Sequence, residues 1–407
     1  MAGAINYTYV TDTSADWASV PNSTYFYDKA DKLVHYKNAG GSVLEIFSAA
    51  GGLTYFTEAQ STASPNATVN VDSLTAVAST TDADFVIRPK GTGAILGNIP
   101  DNLSSGGNKR GQNSVDLQTI RSSNTEVASG NYSVISGGRR NLASGLYSAV
   151  MGGYVSYATG ESSMNIGGYA SSASAYCSIT GGYQNSASGN SSIALGSSCT
   201  ASNSYSVSIG YQNNVSGIAS SAFGQLNTVN EHWSFTSGYY NSLTGRFSNI
   251  NGTGGADFGV WSRQVFSSYN SVVGDSQKST LILNKRTTDA TPTVLTVQGG
   301  AISTTTQLTL QNNNVFRVKG SITGKQSGNT NVGVWDIDCV IVRGASAATT
   351  VIAGTPSISL VVNTGSFGDP TLTANTTLGC LTVTVTGLAL TNIQWTCVID
   401  TCEVIYA

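Results

Sequence analysis

A glycine register in the middle third of the chain limits its fold more than any other feature. Glycines stand at Gly138, Gly153, Gly168, Gly182, Gly196, Gly210, Gly224, Gly238 and Gly252, in steps of 15, 15 and then 14 six times. Most are preceded by a short alternating segment, as in Ser192-Ile193-Ala194-Leu195-Gly196 and Ser206-Val207-Ser208-Ile209-Gly210. Alternation marks a strand with one buried face. Five residues after each glycine but the last comes a second small apolar residue: Ala143, Ala158, Ala173, Ala187, Ala201, Val215, Val229 and Leu243. Each unit thus holds two very short strands.

Between the strands lies a turn that often carries Asn (Asn141, Asn185, Asn213, Asn227, Asn241). After the second strand comes another that often carries Gly (Gly145, Gly160, Gly189, Gly217, Gly245). Both residue types tolerate positive φ, which gives each corner a physical reason. So short a unit cannot bury its own apolar face, so successive coils must stack about 4.8 Å apart. The predicted element is a narrow, two-sided β-solenoid over residues 124–256. Its inward side chains are few and small, too little for one chain to offset the entropy of ordering, so a homotrimer sharing one core is expected.

The segment Ser178-Ile179-Thr180-Gly181-Gly182-Tyr183-Gln184-Asn185-Ser186-Ala187-Ser188-Gly189 resembles the head repeats of YadA-like trimeric adhesins. That resemblance covers about a third of the chain, and it implies three side-by-side β-rolls around one axis. It says much less about what is bound.

The flanks are organised differently. Residues 1–60 hold Tyr7, Tyr9, Trp17, Tyr25, Phe26, Tyr27 and Tyr36, with strand-like segments at 23–27 and 42–47 and a turn signal, Asn38-Ala39-Gly40-Gly41, ahead of the second. A hairpin is expected there. This region is similar to the amino-terminal segment of phage fibre proteins, which implies docking onto a virion protein. Residues 61–123 read as a linker and lead-in similar to those of phage-encoded fibres, and 257–313 as a cap and neck. From 314 to 407 the strands lengthen, as in Val334-Trp335-Asp336-Ile337-Asp338-Cys339-Val340-Ile341-Val342, which predicts an antiparallel, jelly-roll-like β-sandwich. That arrangement resembles the terminal domain of trimeric viral fibres, where a compact tip meets the host.

Composition narrows the function. Charged residues make up 10% of the chain where about 25% is usual, yet 40% hydrophobic residues and 19 Tyr argue for order. A net charge of −3 without a basic cluster argues against a nucleic-acid partner. The first residues lack a secretory signal and no apolar run is long enough to span a membrane, so assembly in a host cytoplasm, a virion location and no membrane insertion are expected. Cys177, Cys199, Cys339, Cys380, Cys397 and Cys402 form no CxxC pair beside histidines, and His35 and His232 are the only histidines, so no metal or cofactor is expected.

Catalytic signals are weak. Glu161 and Glu231 are the only carboxylates between Val127 and Ala256 and lie too many coils apart to cooperate. Asp336 and Asp338 share one strand face, with Asp369 as a further acid, and a Ser-His-Asp arrangement would rest on His35 or His232. The expectation is therefore no enzymatic activity and an adhesive phage fibre that binds a bacterial glycan or protein receptor. A tailspike-type glycan hydrolase and a bacterial trimeric surface adhesin are the alternatives. Receptor contact is expected in the tip loop at Asn363, Ser366, Phe367 and Asp369. Tyr154, Tyr169, Tyr183, Tyr211 and Tyr239 form a broken ladder, either a platform for sugar faces or interchain packing.

Overall fold

The computed structural model describes residues 9–11, 14–22, 24–30, 33–47, 56–61, 71–76, 82, 84–268 and 272–406. Tyr7 and Ser23, used above, lie outside them. The chain divides into two units, Met1–Arg88 and Pro89–Ala407.

In the first unit the strands Thr24–Asp28, Leu33–Lys37 and Val43–Phe47 form an antiparallel sheet, and Tyr9–Thr11 adds in parallel to the first of them. The turn at Asn38 is built as its residues suggest: Gly41 has φ +82° and Asn38 Oδ1 accepts the Ser42 N–H at 2.9 Å. It joins Leu33–Lys37 to Val43–Phe47, so the two strand-like segments recognised in the sequence flank a third. His35 is buried against the rings of Trp17 and Phe26, at 4.6 and 5.3 Å.

The second unit is all-β and is dominated by a β-solenoid of about ten turns with almost no helix. Parallel pairing starts ahead of the expected boundary, where Ile95 opposes Val115 and Val115 opposes Val134. On the first face the five-residue strands Ile193–Ser197, Val207–Tyr211 and Ser221–Gln225 pair in succession. On the second face the pairs are two residues long, as in Ser186–Ala187, Thr200–Ala201 and Asn214–Val215. Between the faces Ala143, Ala187, Ala194, Ala201, Val215, Ala222, Val229, Leu243 and Ile250 are buried completely.

The corners differ from the sequence expectation. Positive φ falls on the residue before each turn Asn (Arg140, Gln184, Gln212, Leu226, Tyr240) and on the second residue after each turn Gly (Tyr147, Ser162, Ser191, Ala219, Phe247). A left-handed conformation costs a non-glycine residue about 1–2 kcal/mol. In-register backbone bonds to the neighbouring coil offset that cost; the Gln184 N–H, for example, donates to Tyr169 O at 2.7 Å. The turn glycine has a different reason to be glycine. A Cβ on Gly189 would lie 2.0 Å from Asn203 O of the adjacent coil.

The turn asparagines point inward and run a second ladder through the solenoid. Asn227 donates through Nδ2 to Phe223 O at 3.1 Å and Gly238 O at 2.9 Å, while its Oδ1 accepts the Asn241 N–H at 3.1 Å. Asn141, Asn185, Asn213 and Asn241 repeat the pattern, with Ser156, Ser171 and Cys199 at this position in the intervening coils. Asparagine recurs here because a buried amide can serve its own coil and the next together.

Buried charge closes the solenoid at both ends. At the start Asp116 takes Arg110 Nε at 2.7 Å and Arg121 Nη2 at 3.0 Å, and the Gln118 amide bonds Glu126 O, Asn141 O and the Asn141 N–H in place of a missing strand. At the end Arg263 meets Glu403.

The first face continues into the C-terminal strands. Gln264–Ser267 pairs with Ser276–Thr287, which pairs with Ile393–Ile405, then Asn314–Gln326, then Val332–Arg343. A second sheet holds Pro292–Val294, Leu308–Thr309, Gly368–Asn375 and Cys380–Thr386. Leu281, Leu295 and Leu308 share one core with Phe316, Trp335, Trp395 and Val383, so the segment expected as a cap and neck is built into the same body as the terminal strands.

Candidate functional site

The solenoid presents aromatic rings along two edges. Tyr154, Tyr169 and Tyr183 stand in register at the end of the first face, Tyr154 tilted 44° against Tyr169 at 5.4 Å and Tyr183 stacked on Tyr169 at 5.1 Å. Tyr211 and Tyr239 occupy the same register further on, with Ser197 and Gln225 in the positions between. Tyr169, Tyr183, Tyr211 and Tyr239 are exposed. Tyr154 is half-buried under Arg139, 4.4 Å from its ring centroid, and accepts a bond from Arg140 Nη1 at 2.8 Å.

The opposite edge escaped the sequence reading. Tyr132, Tyr147, Tyr205, Trp233 and Phe247 all stand at the left-handed position just before a first-face strand and are all exposed. Tyr132 stacks on Tyr147 at 5.2 Å, and Trp233 on Phe247 at 5.1 Å with planes 4° apart. The signal was present in the same 14- and 15-residue spacing, but offset from the glycines that defined the register.

Three of the four tip-loop residues expected at the receptor are engaged within the fold. Phe367 is 4% exposed and packs edge-on against Trp395 at 5.5 Å. Asn363 closes the loop by donating to Phe367 O at 2.8 Å and accepting its N–H at 3.0 Å, and Asp369 Oδ1 accepts Trp335 Nε1–H at 3.0 Å. Ser366 alone stands exposed without such a role, at φ 53°. Short polar and aromatic residues in a Gly-rich loop give the same sequence pattern whether they face a ligand or pin the loop to a core.

Asp336 and Asp338 lie on the outer side of Val332–Arg343 and line a depression of about 280 Å³ with Lys319, Gly320, Ser357 and Ser359. A hydrogen bond from Arg317, at 2.9 Å, holds the Asp338 carboxyl below the usual carboxylate range, against a smaller upward push from burial. His232 Nδ1 accepts the Ile218 N–H at 2.9 Å, and Glu231 pairs with Arg246 at 2.9 Å. Among the described residues no cluster of metal-ligating side chains occurs, and no helix is long and apolar enough to cross a membrane.

These features define an all-β chain built on a β-solenoid with exposed aromatic edges. No protein-family model matches the chain, and no curated protein does. Solved structures that match include a tailspike protein of Acinetobacter baumannii bacteriophage Fri1, a capsular polysaccharide depolymerase, at 11% identity and TM-score 0.22 over 76% of this chain and 56% of that one. The tailspike of Acinetobacter phage vB_ApiP_P1 matches at 8% identity and TM-score 0.23, over 99% and 100% of the two chains. That of Acinetobacter baumannii phage AM24 matches at 9% and TM-score 0.17, over 66% and 63%. This chain thus spans little more than half the length of the first. The expectation of no enzymatic activity is corrected by that structure, a depolymerase, and is not retained. At these TM-scores none of the three transfers a site or a substrate to this chain.

Proposed function

We propose that this chain is a bacteriophage tail fibre or tailspike protein that engages a bacterial surface polysaccharide along its solenoid. The observation that supports this most is the exposed row of tyrosines in register at the end of the first face. Tyrosine couples an apolar face, which suits the C–H side of a sugar ring, to a hydroxyl that suits its polar rim. The first unit would dock the fibre onto a virion protein. The test is an array of purified bacterial capsular and O-chain polysaccharides. The wild type should bind at least one glycan, and a Tyr169→Ala/Tyr183→Ala variant should bind it more weakly; failure to bind any would overturn the reading.

Assembly into a homotrimer belongs to the same proposal, with the first face as the contact. Its outward side chains include Met151, Ile166 and Phe266, at 54%, 52% and 57% exposure. The outward column of the second face begins with half-buried Leu142 and Tyr157 and continues as Ser172, Ser186, Thr200, Asn214, Thr228 and Ser242. The larger exposed apolar side chains of the first face favour its burial against further copies. A stable 42.0 kDa monomer in sedimentation equilibrium would overturn it.

A second reading, cleavage of the bound glycan, is favoured by the Asp336 and Asp338 depression. Two residues along a strand put the pair roughly 7 Å apart, within the range of about 6.5–9.5 Å that an inverting pair uses. Asp338, held below the usual carboxylate range by Arg317, suits the base that activates water, with Asp336 as the second carboxylate of the pair. Reducing ends released by the wild type and lost in Asp336→Asn would support this; undiminished release by the variant would refute it.

A further inference from the structure

We propose that the gap at Ser197 in the tyrosine row is a socket for a single uncharged pyranose ring. This rests on the glycan-binding reading above and narrows it to one place. The row runs Tyr154, Tyr169, Tyr183, Ser197, Tyr211, Gln225, Tyr239, one residue per coil and in strict register. Tyr183 is held by its stack on Tyr169, with planes 12° apart, so its other face looks toward the next coil. The next coil offers only Ser197, and beyond it stands Tyr211. The two walls are 48% and 44% exposed.

The spacing selects the occupant. Walls two coils apart are separated by roughly 10 Å. A ring midway would sit roughly 5 Å from each wall, beyond the 3.5–4.0 Å optimum for flat carbon surfaces. A puckered pyranose, whose axial hydrogens stand off its mean plane, takes up that extra width, and a planar aromatic ligand does not. The adjoining exposed residues are Gln184 and Gln212, with half-buried Ser198 between them, all held at φ 52–55°. Amides and a hydroxyl are the donors and acceptors that sugar hydroxyls need. Charge points the same way, since no Lys, Arg, Asp, Glu or His occurs from residue 162 to 230. An acidic sugar would find no counter-charge there. The other gap in this row is occupied by the longer Gln225 side chain.

Filling the gap tests the assignment without removing a wall. Ser197→Tyr places at this register the residue already present at Tyr183 and Tyr211, so the fold should keep its melting temperature. Its affinity for the glycan that the wild type binds on the array of capsular and O-chain polysaccharides should drop more than tenfold. Gln225→Tyr, one coil further on, should leave affinity unchanged. Tyr183→Ala and Tyr211→Ala provide a measure that does not depend on how the filled gap is tolerated, and each should weaken binding roughly two- to tenfold. Full binding by Ser197→Tyr, or an equal loss in Gln225→Tyr, would overturn the socket and leave the glycan reading standing. A wild type that binds no glycan would overturn that reading instead.

Discussion

Arg263 and Glu403, 140 residues apart in sequence, form an ion pair in which both side chains are fully buried. Arg263 belongs to the last solenoid coil and Glu403 to the final strand, Ile393–Ile405. Arg263 Nε also donates to Ser279 Oγ at 3.0 Å, and Gln277 Nε2 to Glu403 Oε2 at 2.7 Å. The end of the chain is thereby tied to the end of the solenoid.

Removing one partner strands a charge in the interior, so Arg263→Met or Glu403→Leu alone should destabilise the fold by about 3–5 kcal/mol. The double replacement should recover most of that loss, since an apolar pair of similar volume is often neutral. Chemical denaturation of the two single variants and the double variant checks the sign; equal losses in all three would mean that packing, not charge, holds this junction.

The inward asparagines predict a different kind of loss. Asn227→Ala leaves Phe223 O, Gly238 O and the Asn241 N–H without side-chain partners, which should cost about 1–3 kcal/mol. Asn230→Ala, on an exposed neighbour, should change the unfolding midpoint little.

Much of the solenoid was legible in the sequence because a strand pattern repeated at fixed spacing leaves few ways to pair. Ile193 opposite Val207 and Ala187 opposite Ala201 follow from periodicity alone. What periodicity does not encode is direction within a corner: the asparagines turned inward, and positive φ moved to residues such as Leu226 and Tyr240 that no local rule selects. The buried charges at Asp116 and Glu403 were hidden for another reason. Their partners are set by the ends of the stack, where no repeat informs the reading. Phe367 and Asp369 in the tip loop carried no sequence mark to separate a loop pinned to its core from a loop that presents side chains.

Stability should fall with acid in a window set by Glu126. Burial pushes its carboxyl up, but hydrogen bonds from Ser122 and Ser123 and the charge of Arg140 outweigh this and leave it below its ordinary 4.5. A depressed folded pKa means a contribution fully present above the unfolded value and lost as pH falls through the folded one. Denaturation measured stepwise from about pH 6 downward should show a larger loss in the wild type than in Glu126→Gln.

Thiol chemistry separates surface from core. Burial pushes Cys339 and Cys380 up to about 11 and Cys397 to about 12, so none supplies thiolate near neutrality. Cys402 is exposed. Iodoacetamide on the native protein should modify Cys402 and spare those three, as read by peptide mass spectrometry. Modification of Cys397 at a comparable rate would mean that the core opens.

The last prediction concerns the coil as a unit. Positive φ recurs every seven residues over much of the solenoid, as at Ser198, Tyr205, Gln212 and Ala219, whereas the side-chain pattern recurs every two such steps. Deleting residues 205–218 joins Ser204 to Ala219, which occupies the same corner as Tyr205, so every inward residue keeps its place. The solenoid should fold and shorten by about 4.8 Å. Deleting residues 205–211 instead joins Ser204 to Gln212, which keeps the backbone rhythm but exchanges the faces. Asn213 would then occupy the corner of Ser206, and a two-residue strand would lie where a five-residue strand is needed. The inward amide of Asn213 would lose Ile209 O. Circular dichroism and thermal melting should therefore show the longer deletion folded and the shorter one not. If both fold alike, backbone rhythm alone specifies the solenoid and the asparagine ladder is dispensable.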